Sequence, residues 1–155
     1  MLPPFSYSFN DRDEIWKELE LVRSLYDAGK YDKAWKKVRA LRKRIRMDDP
    51  PYYGEDLSGA VRRAIIHWEN KIKDKWGYYN DYPKFTGVIV EMEGNYAGYF
   101  VVQSGKERKD YLYDGGIVIV GDDSRWKGKK VTVYYECDPA IPNSSCHALK
   151  LVIHD

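Results

Sequence analysis

Apolar residues keep a helical spacing up to about residue 80 and an alternating, strand-like spacing beyond it, which predicts two structural units. In the first, Ile15, Leu19, Val22 and Tyr26 share a helical face. Asp11, Asp13 and Glu14 sit at its start, where the helix dipole favours acids, and Gly29 reads as its stop. Asp32 is placed to cap a second helix with the stripe Trp35, Val38, Leu41 and Ile45, ended by Asp48, Asp49 and Pro50-Pro51. A third helix runs from about Asp56 to Gly77, with Leu57, Val61, Ile65, Trp68 and Ile72 aligned. Residues 77–84 form a connection that is turn-like in composition yet rich in tyrosine, so it is expected to pack down. From Phe85 onward, short β-rich runs alternate with turns at Glu93-Gly94-Asn95, Ser104-Gly105, Asp114-Gly115-Gly116, Gly121 to Ser124 and Pro142-Asn143-Ser144. Five or six strands at this spacing predict a small antiparallel barrel, since closure removes exposed edges. The expected fold class is therefore α+β: a three-helix bundle at 1–76, a connection at 77–84 and a β-barrel at 85–155.

Two stretches carry a family resemblance. Leu25 to Trp35, with Gly29 followed by Tyr31-Asp32-Lys33-Ala34, resembles the middle of a tetratricopeptide repeat; one copy implies a helical hairpin and protein contact. In the second unit, Thr86-Gly87-Val88-Ile89-Val90, Ala97 to Val102, Asp110 to Tyr113, Trp126 to Val133 and His147 to Leu151 are similar, in order, to the strands of a cold-shock domain. That resemblance implies an OB-like barrel that binds single-stranded nucleic acid by stacking bases on strand aromatics. The stacking positions transfer only in part: the first-strand Trp falls on Glu91 or Met92, the third-strand Phe on Leu112 and the following His on Asp114. Tyr96 and Tyr99 stay near the second-strand platform, and Tyr111 and Tyr113 flank the lost Phe, one step along the strand and so on the opposite face.

Composition adds less than its distribution does. The 155 residues are 43% hydrophobic and 32% charged, as expected of a globular chain, and 5 Trp, 14 Tyr and 4 Phe give 15% aromatic content. No run of apolar residues is long enough to span a bilayer, and Met1 to Asn10 lacks a signal core, so neither a membrane nor a secreted protein is expected. Cys137 and Cys146 are too few for a disulfide framework, and an idle thiol pair in a reducing cytoplasm is the expectation. With His147 they match no zinc signature; neither metal nor cofactor is expected. The formal charge of +2 hides an asymmetry: residues 1–84 carry 18 basic and 14 acidic side chains, residues 85–155 carry 8 and 10.

The strongest charge feature is Lys33 to Arg46, where Lys33, Lys36, Lys37, Arg39, Arg42, Lys43, Arg44 and Arg46 occur without an acid. Such a run suits phosphate; it equally forms a solvated helix face neutralised by Asp11, Glu14, Glu18 and Glu20 of the neighbouring helix. A second basic group, Arg125, Lys127, Lys129 and Lys130, surrounds Trp126, which either stacks on a base or plugs the barrel mouth. No phosphate loop, nucleophile elbow, metal-binding histidine pair or carboxylate cluster with a base is present, so an enzyme is not expected; Glu69-x-Lys71 echoes a nuclease fragment at the level of chance. The function expected is non-catalytic binding of single-stranded RNA or DNA. Lys36, Lys37, Arg39, Arg42, Lys43, Arg44 and Arg46 would track phosphates; Tyr96, Tyr99, Tyr111, Tyr113, Arg125, Trp126 and Lys127 would provide the barrel's contacts. The alternative is a protein-interaction module, an adaptor or an inhibitor, that docks an acidic partner.

Overall fold

A computed structural model describes residues 9–45, 55–95, 97–140 and 146–154. The chain divides into two compact units, Met1–Trp76 and Gly77–Asp155. The first holds helices α1 (Phe9–Asp27), α2 (Tyr31–Arg44) and α3 (Glu55–Lys75). Their apolar stripes meet in one core of Ile15, Leu19, Val22, Ala34, Val38, Leu41, Ile45, Val61, Ile65 and Ile72, flanked by the half-buried Tyr26, Trp35 and Trp68. Each such Val, Leu or Ile side chain taken from water contributes about 1.5 to 3 kcal/mol, and this packing of apolar faces supplies most of the stability of the helices.

The turn between α1 and α2 is made by Gly29 at φ 76°, while the Lys30 amide donates to the Leu25 carbonyl at 2.8 Å and satisfies the end of α1. Because that turn ends at Lys30, α2 begins two residues earlier than expected, and Asp32 lies in its first turn instead of at its cap. The expected stop at Asp48 to Pro51, together with Arg46 and Tyr96, lies outside the described residues, as do the side chains of Asp11 and Leu57.

The second unit contains β1 (Lys84–Gly94), β2 (Gly98–Ser104), β3 (Glu107–Tyr113), β4 (Val118–Val120), β5 (Lys130–Glu136) and β6 (Cys146–His154). Antiparallel ladders join β3–β2–β1–β5–β6, and a short parallel pairing of β3 with β6, Tyr111 to Cys146 and Leu112 to His147, closes them into a five-stranded barrel. This strand order is compatible with an OB-like barrel, and the three-residue β4 is an extra strand added in parallel to β6. The tight β1–β2 hairpin needs Gly98, where a Cβ would collide with the Glu93 carbonyl. A bulge between Ile89 and Glu91 sets which β1 side chains face inward on either side of it.

Inside the barrel, Ile89, Phe100, Val102, Tyr111, Tyr113, Val131, Val133, Ala148, Leu151 and Ile153 form the core. The cysteines are not idle thiols. They face each other across the β5–β6 hairpin with Cα atoms 4.3 Å apart and are joined by a disulfide. The pairing follows from hairpin geometry, since β5 ends at Glu136 and β6 starts at Cys146. With the thiols bonded, the cysteine count no longer supports a reducing compartment.

Candidate nucleic-acid interface

Strand register sorts the outward side chains of the barrel into two faces of opposite character. On β1–β2–β3 the outward rows are Glu93–Tyr99–Leu112, Glu91–Val101–Asp110 and Val88–Gln103–Arg108. Three carboxylates face one guanidinium there, and Arg108 is bound to Glu91 at 2.7 Å. Tyr99 is 40% exposed, but its hydroxyl donates to Glu93 at 3.2 Å, and that carboxylate holds the phenol above its ordinary pKa. This is the face on which the cold-shock resemblance places bases, and its charge repels a phosphate chain.

Among the described residues, the other expected stacking side chains are not available on that face. Tyr111 and Tyr113 alternate into the barrel, 1% and 6% exposed, against Phe100. They serve the core because their neighbours Asp110 and Leu112 take the outward positions, which corrects their assignment as base-stacking surfaces. Burial raises the pKa of both phenols, strongly for Tyr111, to which Tyr135 and Glu107 add. Trp126 is half-buried, 5.2 Å from the Tyr113 ring centroid and 5.9 Å from that of Phe100, so it plugs the barrel.

On β1–β5–β6 the outward rows are Lys84–Tyr134–Lys150, Thr86–Thr132–Val152 and Val88–Lys130–His154. None of these nine residues is acidic. The Lys84 and Lys150 ammonium groups lie 4.9 and 5.0 Å from the Tyr134 ring centroid, and Lys84 also donates to the Asn80 carbonyl at 2.6 Å. Beside them a chain of hydrogen bonds crosses three strands, with Thr132 Oγ1 2.8 Å from both Thr86 Oγ1 and His154 Nε2. Strand geometry makes the patch about 13 Å along the strands and about 10 Å across them. At its far end the turn carrying Lys127 is pinned to β1, the Gly128 amide donating to the Ile89 carbonyl at 2.8 Å. Arg125 and Lys127 are exposed there and extend the basic strip beyond Lys130.

No family model, curated protein or solved structure matches this chain. The assignment of a site therefore rests on the geometry alone. Among the described residues no group of three or more His, Cys, Asp or Glu side chains is arranged to hold a metal ion, and no helix is long and apolar enough to cross a membrane.

The basic run on α2 proves to be largely engaged. Glu69 of α3 is the one buried charged side chain among the described residues, 4% exposed, and it is held by Arg39 at 2.8 Å and by Arg42, whose Nε donates at 3.0 Å. Lys37 pairs with Glu18 at 2.6 Å and Arg44 with Glu14 at 2.9 Å. Lys33, Lys36 and Lys43 remain as exposed cations without an ion pair among the described residues. A charge run that is dense in sequence is thus spent mostly on the bundle, whereas Lys84, Tyr134, Lys150 and His154, scattered in sequence, are brought together by pairing. Alternation within each strand would have flagged 84/86/88, 130/132/134 and 150/152/154 as outward; the pairing of those three strands carried no local signal.

Proposed function

We propose that this protein is a non-catalytic binder of single-stranded nucleic acid, and that it holds the strand on the β1–β5–β6 face of its barrel. The observation that supports this most is the segregation of charge: a unit with more acids than bases gathers Lys84, Lys130, Lys150 and His154 in three outward rows that hold no carboxylate, with Glu136 beyond their end on β5, and collects Glu91, Glu93 and Asp110 on another face. Ion pairs at a surface contribute little to stability, so folding gives no reason for such a separation, whereas a polyanion gains from it through counterion release. In this reading Lys84, Lys130 and Lys150 meet phosphates, Thr86, Thr132 and His154 offer polar contacts, and Arg125 and Lys127 prolong the track. Tyr134 supplies the aromatic ring, already flanked by two cations. Cytoplasm is where such a ligand is met, although the bonded cysteines do not argue for it.

Fluorescence anisotropy of labelled oligonucleotides of about 15 nucleotides tests the proposal, because one OB-type fold covers a site of about 4 to 16. Binding of oligo-dT and oligo-U that is present near 50 mM salt and falls steeply by about 200 mM is expected. A full-length protein that binds neither at low salt contradicts it.

A further inference from the structure

A second surface, on the helical unit, has a different chemistry. Between α1 and α2 runs an open groove of about 510 Å³, floored by the half-buried Leu25 and by Ala40 over the buried Leu41 and bordered by Lys33, Lys36, Lys37 and Arg44, with Glu18 as the one acid of its lining. Lys33, Lys37 and Arg44 recur along one side of α2 at helical spacing, so the rim extends over three turns, about 16 Å. Lys37 and Arg44 are countered by Glu18 and Glu14; Lys33 and Lys36 have no ion pair among the described residues.

We propose that this groove docks an acidic amphipathic segment of a protein partner, its carboxylates on the lysine rim and its aliphatic side chains on the Leu25–Ala40 floor. Charge complementarity selects an acidic occupant. The floor selects among acidic occupants: it is aliphatic and gives a nucleobase no ring to stack on, whereas apolar residues of an amphipathic helix at i, i+4 and i+7 bury against such a floor. The site is separate in residues and in ligand from the barrel face, so the molecule would join a protein partner to a bound nucleic-acid strand.

The test uses the full-length chain and a labelled synthetic helix of about four turns with leucines at i, i+4 and i+7 and glutamates elsewhere. A scrambled peptide of the same composition and an oligo-dT of similar length serve as comparisons. The helix is expected to bind at least about tenfold more tightly than the scrambled peptide, and K33E/K36E to weaken it by about tenfold or more while leaving oligo-dT binding unchanged. Both lysines are exposed and unpaired among the described residues, so the variant keeps the bundle, which far-ultraviolet dichroism checks. Equal binding of the scrambled peptide, indifference to K33E/K36E, or displacement of the helix by oligo-dT would each overturn the proposal, the last in favour of a nucleic-acid groove.

Discussion

Removing the Cys137–Cys146 bond tests how the barrel is kept closed. The two residues are nine apart in sequence, so the bond closes a loop of about ten residues, for which loop-closure entropy gives about 2.7 kcal/mol at 25 °C. Its location concentrates the effect: Cys146 is one of only two β6 residues that pair with β3, and the neighbouring His147 lies 3.4 Å from Asp114 of the β3–β4 turn. Unfolding a unit of about 80 residues carries an entropy near 2.1 cal/mol/K per residue, so losing the bond lowers the melting temperature of the barrel by about 16 °C. The perturbation is C137S/C146S in the full-length chain, compared with wild type reduced by dithiothreitol. Scanning calorimetry reads the transitions, and dichroism at 222 nm follows the helices separately. Both perturbations should give the same downward shift of the barrel transition. A shift of less than about 4 °C would refute the reasoning, because the bond would then close nothing that the β5–β6 ladder does not already hold.

Other outcomes follow from the same contacts. E69A removes the buried carboxylate that holds the half-exposed Arg39 and the part-buried Arg42 and should destabilise the bundle by about 3 kcal/mol in urea unfolding; a loss under about 1 kcal/mol would mean that both guanidinium groups are satisfied without it. Tyr111 Oη is buried without a hydrogen-bond partner among the described residues, so Y111F should change stability by no more than about 1 kcal/mol and leave oligonucleotide affinity intact, while Y111A costs about 3 to 5 kcal/mol of barrel stability. Loss of affinity in Y111F would give that hydroxyl a binding role. The Tyr82 hydroxyl, hydrogen-bonded to Tyr78, has its pKa pushed up to about 12. A folded-state value above the unfolded one stabilises fully below about pH 10 and the contribution is lost as pH rises toward 12. The difference between wild type and Y82F in absorbance titration at alkaline pH should show one phenol ionising late; titration at the ordinary tyrosine value would contradict it.

The helices were legible because their stripes are local: Val22, Val38 and Ile65 announce a buried face within a single turn or two. The strands were legible for the same reason, as runs bounded by Gly94, Gly105 and Gly121. What one strand faces in another is not local. Val88 lies opposite Gln103 on one side and Lys130 on the other, and no property of Val88 encodes either neighbour. Linear clustering therefore favoured α2, whose cations Arg39 and Arg42 are in fact consumed by a glutamate about thirty residues later, and passed over Lys84 and Lys150, each isolated in sequence. Tyr111 and Tyr113 were aromatic residues of the expected type on the expected strand, but alternation put them inward. The two cysteines flank one hairpin loop in the sequence, but a count of two and an expected reducing cytoplasm made them an idle thiol pair, and only the pairing of β5 with β6 shows the bond.

The central claim is that the β1–β5–β6 face of the barrel carries the nucleic acid. Its most direct test is the salt dependence of oligonucleotide binding by K84Q/K130Q/K150Q beside the opposite-face control E91Q/E93Q. Each lost phosphate contact on a single strand takes about 0.7 from the slope of log affinity against log salt, so the triple variant should bind more weakly with a slope shallower by about 2, while the control keeps the wild-type slope. An unchanged slope in the triple variant, with wild type still binding, would place the strand elsewhere on the molecule.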